Sequence, residues 1–206
     1  MKTQPKYKVC RRLGDGVHAK CQTPKYQLAK SRRNGGKKIF RRRPRTEFGT
    51  QLIEKQKVRF SYNISEKQLS KYVKNASKGS GDQPGRLLYS YLERRVDNII
   101  YRVGLATSRQ QARQIVTHGH ILVNGRKLDV PSYQVSKGDE ITLKAKSLTG
   151  VLFNDAKARV KATQEPEWLS VDEKNMKVVV KDLPVLDPAN EPDMDYSTVI
   201  EFYNRV

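Results

Sequence analysis

The residues whose types and spacing could do chemistry are mostly arginine and lysine. Arg32-Arg33, Lys37-Lys38 and Arg41-Arg42-Arg43 with Arg45 crowd one short stretch, and Arg109 and Arg113 stand four apart. On a helix, that spacing sets two guanidiniums one turn apart on one face, where they can grip successive phosphates. Signals for catalysis, cofactors or metals are thin. Gly35-Gly36-Lys37-Lys38 lacks the spacing and the Ser or Thr of a phosphate-binding loop, and no strand precedes it. His118 and His120 have no partner ligands; they fit ring donation or stacking on RNA, or equally an ordinary pair flanking a turn. Cys10, His18 and Cys21 would give zinc three ligands and no fourth, so two free cysteines buried against RNA, without metal, are expected. Glu165, Glu167, Asp193 and Asp195 have no neighbouring base or nucleophile and read as solvated charge.

Composition points the same way. Among 206 residues, 41 Lys+Arg face 21 Asp+Glu, a formal charge of +20. Residues 1–60 carry +16, residues 61–162 carry +10 and residues 163–206 carry −6. A self-repelling surface of this sign is tolerable when a phosphate backbone neutralises it, so nucleic acid is the expected partner. In residues 1–60 no amphipathic basic helix with large apolar anchors suggests a membrane surface. No apolar run exceeds three residues, which excludes the roughly 20 needed for a spanning helix and the apolar middle of a secretory signal. The expected location is the cytoplasm or an organelle interior. Two cysteines are too few for the disulfide framework of a small secreted domain.

The elements that must position these charges follow from spacing. Residues 1–45 hold 16 Lys+Arg and one Asp with little periodicity, and read as an extended basic arm, disordered alone and ordered by RNA. A charge network is expected to tie it down. From Thr46 a helix is predicted with Leu52, Ile53, Gln56 and Phe60 inward and Lys55, Lys57 and Arg59 available to RNA. Ser65 with Gln68 opens a second helix by a capping box, and Gly79 to Gly85 ends it. Leu88, Leu92, Val96, Ile99 and Val103 predict one long helix stopped by Gly104. Ser108 with Gln111 caps the next, whose Ala112, Ile115 and Val116 face inward. Asn124-Gly125 between Ile121-Leu122-Val123 and a strand starting at Arg126-Lys127 is a hairpin signal, and Asn124, Arg126 and Lys127 are candidate RNA ligands at its tip. Tyr133–Val135 and Ile141–Leu143 add strands around the Lys137-Gly138-Asp139 turn. Ile99, Ile115, Leu122 and Val135 are expected to pack together.

The run Glu93-Arg94-Arg95-Val96-Asp97-Asn98-Ile99-Ile100-Tyr101-Arg102-Val103-Gly104, then Ser108-Arg109-Gln110-Gln111-Ala112-Arg113-Gln114 and His118-Gly119-His120-Ile121-Leu122-Val123-Asn124-Gly125, resembles the S-four RNA-binding domain. Pro131 to Val135 with Gly138-Asp139 completes the match. That domain also occurs in RNA-modifying enzymes and ribosome-associated factors, where it serves as an RNA handle. Phe48-Gly49 with Gln51-Leu52-x-Glu54-Lys55-Gln56-Lys57, Trp168-Leu169 and Val199-Ile200-Glu201-Phe202-Tyr203 narrow the choice. From about residue 46 to the end, the chain resembles the bacterial-type small-subunit ribosomal protein four family. The 62 residues after Lys144 are short for the catalytic domain of a pseudouridine synthase.

The resemblance implies an α+β fold: a mainly helical domain from residues 46–97 with 163–206, and an S-four module over 98–162 in which helices pack on a short antiparallel sheet. The basic arm, residues 1–45, precedes both. It also implies a structural, non-enzymatic role: binding a multi-helix junction in the five-prime domain of small-subunit ribosomal RNA early in assembly. The arm would lie where messenger RNA enters, beside small-subunit proteins three and five, with Arg42, Arg43 and Arg45 matching the basic residues that act on messenger structure. The N-terminus departs from the family pattern. Many members carry four zinc-binding cysteines there, and the usual Pro-Gly-Gln-His-Gly stretch is missing.

Overall fold

The computed structural model describes residues 5–34, 46–79, 83–148, 150, 153, 155–173, 175–187 and 194–205. Lys37, Lys38, Arg41, Arg42, Arg43 and Arg45 lie outside the described residues. The fold is α+β and divides into two compact units, residues 1–88 with 187–206 and residues 89–186. Residues 89–97 and 163–186, both expected with the helical domain, therefore belong to the second unit, whose sheet the two strands of 163–186 complete.

The first unit contains α1 (Lys6–Leu13), α2 (Pro24–Asn34), α3 (Glu47–Ser61), α4 (Glu66–Lys78), the start of α5 (Pro84–Glu93) and α10 (Tyr196–Arg205). Residues 5–34, expected within an extended arm, are folded and largely helical. Val9 and Leu13 share one face of α1, and with Val17 they are buried against Ile53 and Phe60 of α3. Burying three aliphatic side chains, each worth roughly 1.5–3 kcal/mol, offsets the ordering cost that the local charge density had suggested was unaffordable. Cys10 and Cys21 are not free: a disulfide joins them across 11 positions, and both are buried beside Tyr26. The charge tie is the exposed Lys30–Asp15 pair at 2.5 Å, which contributes little beside these apolar and covalent links.

Thr46 Oγ1 accepts from the Gly49 N–H at 3.2 Å and starts α3. The fully buried positions of α3 are Gln51, Lys55, Val58 and Ser61, while Leu52, Ile53, Gln56 and Phe60 are half-buried, so the expected stripe is rotated. The cause is polar: Lys55 reaches Glu66 at 2.8 Å and lies 4.7 Å above the Phe202 ring, which lets a lysine face the interior. Ser65 caps α4 through the Gln68 N–H at 3.3 Å, as its spacing predicts. α10 closes the unit, with the Tyr62 and Tyr196 hydroxyls 3.1 Å apart and Tyr203 donating to Glu66 at 2.6 Å.

Burial alone would raise the Glu66 pKa, but hydrogen bonds from Lys55 and Tyr203 and the charges of Lys55 and Arg59 together hold it below the usual 4.5. A carboxyl that is more acidic folded than unfolded stabilises the fold above the unfolded value and loses that contribution as pH falls through the folded one. Stability of this unit is therefore expected to drop below about pH 4.5, and Glu66→Gln to flatten that limb. Acid titration followed by far-ultraviolet circular dichroism measures it; an unchanged limb in the variant would remove Glu66 from the acid response.

The second unit holds the end of α5, then α6 (Val96–Arg102), α7 (Arg109–Thr117), β1 (Ile121–Val123), β2 (Arg126–Leu128), β3 (Glu140–Leu143), α8 (Ala145–Leu148), α9 (Ala156–Ala162), β4 (Leu169–Asp172) and β5 (Lys177–Val180). The single helix expected through 88–103 is broken after Glu93. Backbone bonds to the 131–135 segment replace helical ones there: Val96 N–H to the Tyr133 carbonyl at 3.1 Å and Val135 N–H to the Arg94 carbonyl at 3.0 Å. Gln134 accordingly forms a bridge with Arg95 and not a sheet strand. Gly104 ends α6 at φ +78°, where a Cβ would meet Thr163 Oγ1 at 2.6 Å. The Ser108 cap on Gln111 forms at 3.2 Å.

The sheet is antiparallel, in the order β2-β1-β3-β5-β4. Asn124 and Gly125 turn the hairpin at φ 50° and 76°, both left-handed, as a two-residue loop of this hand requires. Ile99, Ile115 and Val135 share the core with Ile121, Val123, Ile141, Phe153, Leu169 and Val178, but Leu122 does not. The pleat points alternate residues to opposite faces, and Ile121 and Val123 take the inner one. Ile121→Val is expected to cost about 0.5–1.5 kcal/mol, and Leu122→Val less. Denaturant unfolding read on Trp168, the single tryptophan, checks this, and the reverse order would restore Leu122 to the core.

Candidate nucleic-acid interface

α7 carries Arg109 and Arg113 one turn apart. Arg113 is exposed; Arg109 is half-buried, its Nε donating to Asn98 Oδ1 at 2.8 Å and its guanidinium lying 4.6 Å above the Tyr101 ring. On α6, Arg102 makes a two-pronged bond to Glu93, at 3.0 and 2.9 Å, although Glu93 is only 1% exposed. Neither Arg102 nor Tyr101 was among the expected ligands. Their signal was available as Asn98, Tyr101 and Arg102 at i, i+3 and i+4, but it was absorbed by the apolar spacing of the same helix.

His118, His120 and Lys127 gather around Gly119. A Cβ at Gly119 would collide with Lys127 Cε, and the two imidazole centroids are 6.1 Å apart. His118 is exposed, whereas His120 is half-buried, bonded through Nδ1 to Ser147 Oγ at 2.9 Å and set edge-on to Phe153. Arg126 and Lys127 are exposed on β2. The Asn124 amide ties the hairpin tip to the start of β3, donating to Asp139 at 2.8 Å and accepting from the Glu140 N–H at 2.9 Å. Asn124 therefore shapes the tip that presents its basic neighbours.

In the first unit the expected basic face of α3 is largely engaged within the protein. Lys55 is buried on Glu66, Lys57 pairs with Glu54 at 2.7 Å, and Arg59 reaches Glu66 at 3.2 Å. Arg32 is exposed on α2, and Arg33 belongs to the same helix. His18 is half-buried, and desolvation aided by the nearby Lys6 charge lowers its pKa, favouring the neutral ring. With both thiols in a disulfide, neither Cys10 nor Cys21 is a thiolate ligand. Among the described residues no group of three or more His, Cys, Asp or Glu is placed to hold a metal, and no helix is long and apolar enough to cross a membrane.

What remains is a set of exposed or half-exposed basic groups held on rigid elements. Comparison with known proteins identifies the family. Residues 1–93 match the ribosomal protein S4/S9 N-terminal domain and residues 94–141 match the S4 domain. The chain is 41% identical over 206 residues to small ribosomal subunit protein uS4 of Aquifex aeolicus, covering 98% of this chain and 97% of that one. It is 41% identical over 204 residues to the uS4 of Halothermothrix orenii, again covering 98% and 97%. Against the uS4 of Streptococcus thermophilus strain CNRZ 1066 it is 39% identical over 208 residues, covering 99% and 98%. Likeness of that extent, over nearly the full length of both chains and with both family descriptions matched, makes this chain a member of the small ribosomal subunit protein uS4 family.

Proposed function

We propose that the chain is a structural, non-catalytic constituent of the small ribosomal subunit. It binds a multi-helix junction in the five-prime domain of the small-subunit ribosomal RNA early in assembly. The observation that carries this reading is the 41% identity to uS4 over 98% of the chain. Exposed Arg113, His118, Arg126 and Lys127, with half-exposed Arg109 and His120, suit recognition of RNA shape through phosphates and sugar hydroxyls. Arg32 and Arg33 extend the contact from the first unit, and the run Lys37, Lys38, Arg41, Arg42, Arg43 and Arg45 supplies further charge. By resemblance to the family, Arg42, Arg43 and Arg45 stand where messenger RNA enters, beside small-subunit proteins three and five. The protein's place is then that of the small subunit, in a bacterial cytoplasm or an organelle.

Chemical protection mapping of small-subunit ribosomal RNA with the purified chain tests the reading. Protection concentrated at one junction of the five-prime domain is the expected pattern. Protection spread without preference would leave only a basic protein with general RNA affinity.

A further inference from the structure

Two buried polar residues in the second unit have their hydrogen-bonding capacity directed at arginines. Glu93, 1% exposed, is joined by both carboxylate oxygens to Arg102, and Asn98, also 1% exposed, accepts from Arg109 while its own amide donates to the Glu93 carbonyl at 3.2 Å. A buried carboxylate is expensive unless paired, and here the pairing fixes a partly exposed cation. Arg109 is held by Asn98 at Nε and by the Tyr101 ring beneath its plane. A lysine in its place would keep the charge but could not retain that stacked planar fork.

We propose that Arg109 engages an RNA phosphate as an oriented guanidinium plane and not as a point charge, with Asn98 and Tyr101 as its positioning residues and the Glu93–Arg102 pair bracing them. The inference rests on the RNA-binding reading above. Ordering the side chain before RNA arrives removes part of the rotamer entropy that a free arginine loses on binding. Planar two-donor contact with phosphate adds directional hydrogen bonds that an ammonium does not reproduce.

The test uses the full chain and a transcript of the five-prime domain of small-subunit ribosomal RNA, with affinity measured across a series of salt concentrations. Arg109→Ala is expected to weaken binding and to reduce the salt slope by about 0.7–0.9. Arg109→Lys is expected to weaken binding roughly tenfold while leaving the slope unchanged, since the charge count is preserved. Tyr101→Leu should reproduce the lysine variant's loss, again at constant slope, and Tyr101→Phe, which keeps the ring, should bind as the unaltered chain does. A role confined to stability would shift the Trp168 unfolding transition without separating Lys from Arg in affinity. Equal affinity of the Arg109→Lys variant and the unaltered chain would overturn the proposal, as would full binding by Arg109→Ala. If the unaltered chain fails to bind the transcript, the RNA-binding reading itself falls, an outcome distinct from both.

Discussion

Replacing Asp97 with alanine is expected to destabilise the second unit by roughly 3–5 kcal/mol. Asp97 is 4% exposed and its carboxylate takes two bonds from Arg95, one of them at 2.9 Å from Nε; Arg95 is 0% exposed. Truncating the acid leaves a guanidinium inside the protein with its main counter-charge gone, and that desolvation dominates the cost. The charge cannot leave by deprotonation, because a guanidinium keeps its proton in any folded protein. Arg95 also sits at the break between α5 and α6, where its backbone bridges Gln134 and the bonds between residues 94–96 and 133–135 fix the backbone from which its side chain projects. Replacing both residues with apolar ones of similar volume is expected to cost much less than the single change, since no charge is then stranded. Trp168 belongs to the same unit and packs against its core, so its emission in a denaturant titration reads that unit directly. An unfolding free energy within about 0.5 kcal/mol of the parent for Asp97→Ala would mean that Arg95 finds water or another acid when released.

The features legible in the sequence are those fixed by a few neighbouring residues. Ser65 with Gln68, Ser108 with Gln111, and Asn124-Gly125 each specify a local backbone geometry that tertiary context then accepts. Features set by distant partners are not legible in this way. The apolar spacing from Leu88 to Val103 is compatible with a continuous helix, and only the backbone of residues 131–135, some 40 positions away, selects two shorter ones. Strands β4 and β5 lie far along the chain from the sheet they complete, so the boundary at 163 fell inside a unit. The N-terminal segment is a different case. Val9, Leu13 and Val17 recur at i, i+4 and i+8, a helical signal in plain view, yet the density of charge around them outweighed it. In the site, exposed cations such as Arg113 and Arg126 can be read from the chain, whereas the engagement of Lys55 by Glu66 depends on where α4 packs.

The packing of α1 on α3 also decides how the basic run should be probed. Deleting residues 1–45 would strip Val9, Leu13 and Val17 from Ile53 and Phe60 and remove the disulfide, so a loss of RNA affinity could be a loss of fold. Substituting Lys37, Lys38, Arg41, Arg42, Arg43 and Arg45 with glutamine leaves the apolar contacts and the covalent link untouched. If each of these cations neutralises one phosphate, the slope of log affinity against log salt is expected to fall by about 4–5, at roughly 0.7–0.9 per contact. A protein making six to ten phosphate contacts loses about 10³-fold or more between 50 and 200 mM salt, so the variant should bind weakly at low salt and respond far less as salt is raised. The helical content measured by circular dichroism should stay as in the parent. A slope that falls by less than about 1 would show that the run does not track the phosphate backbone, and would leave the RNA contact to the other basic residues.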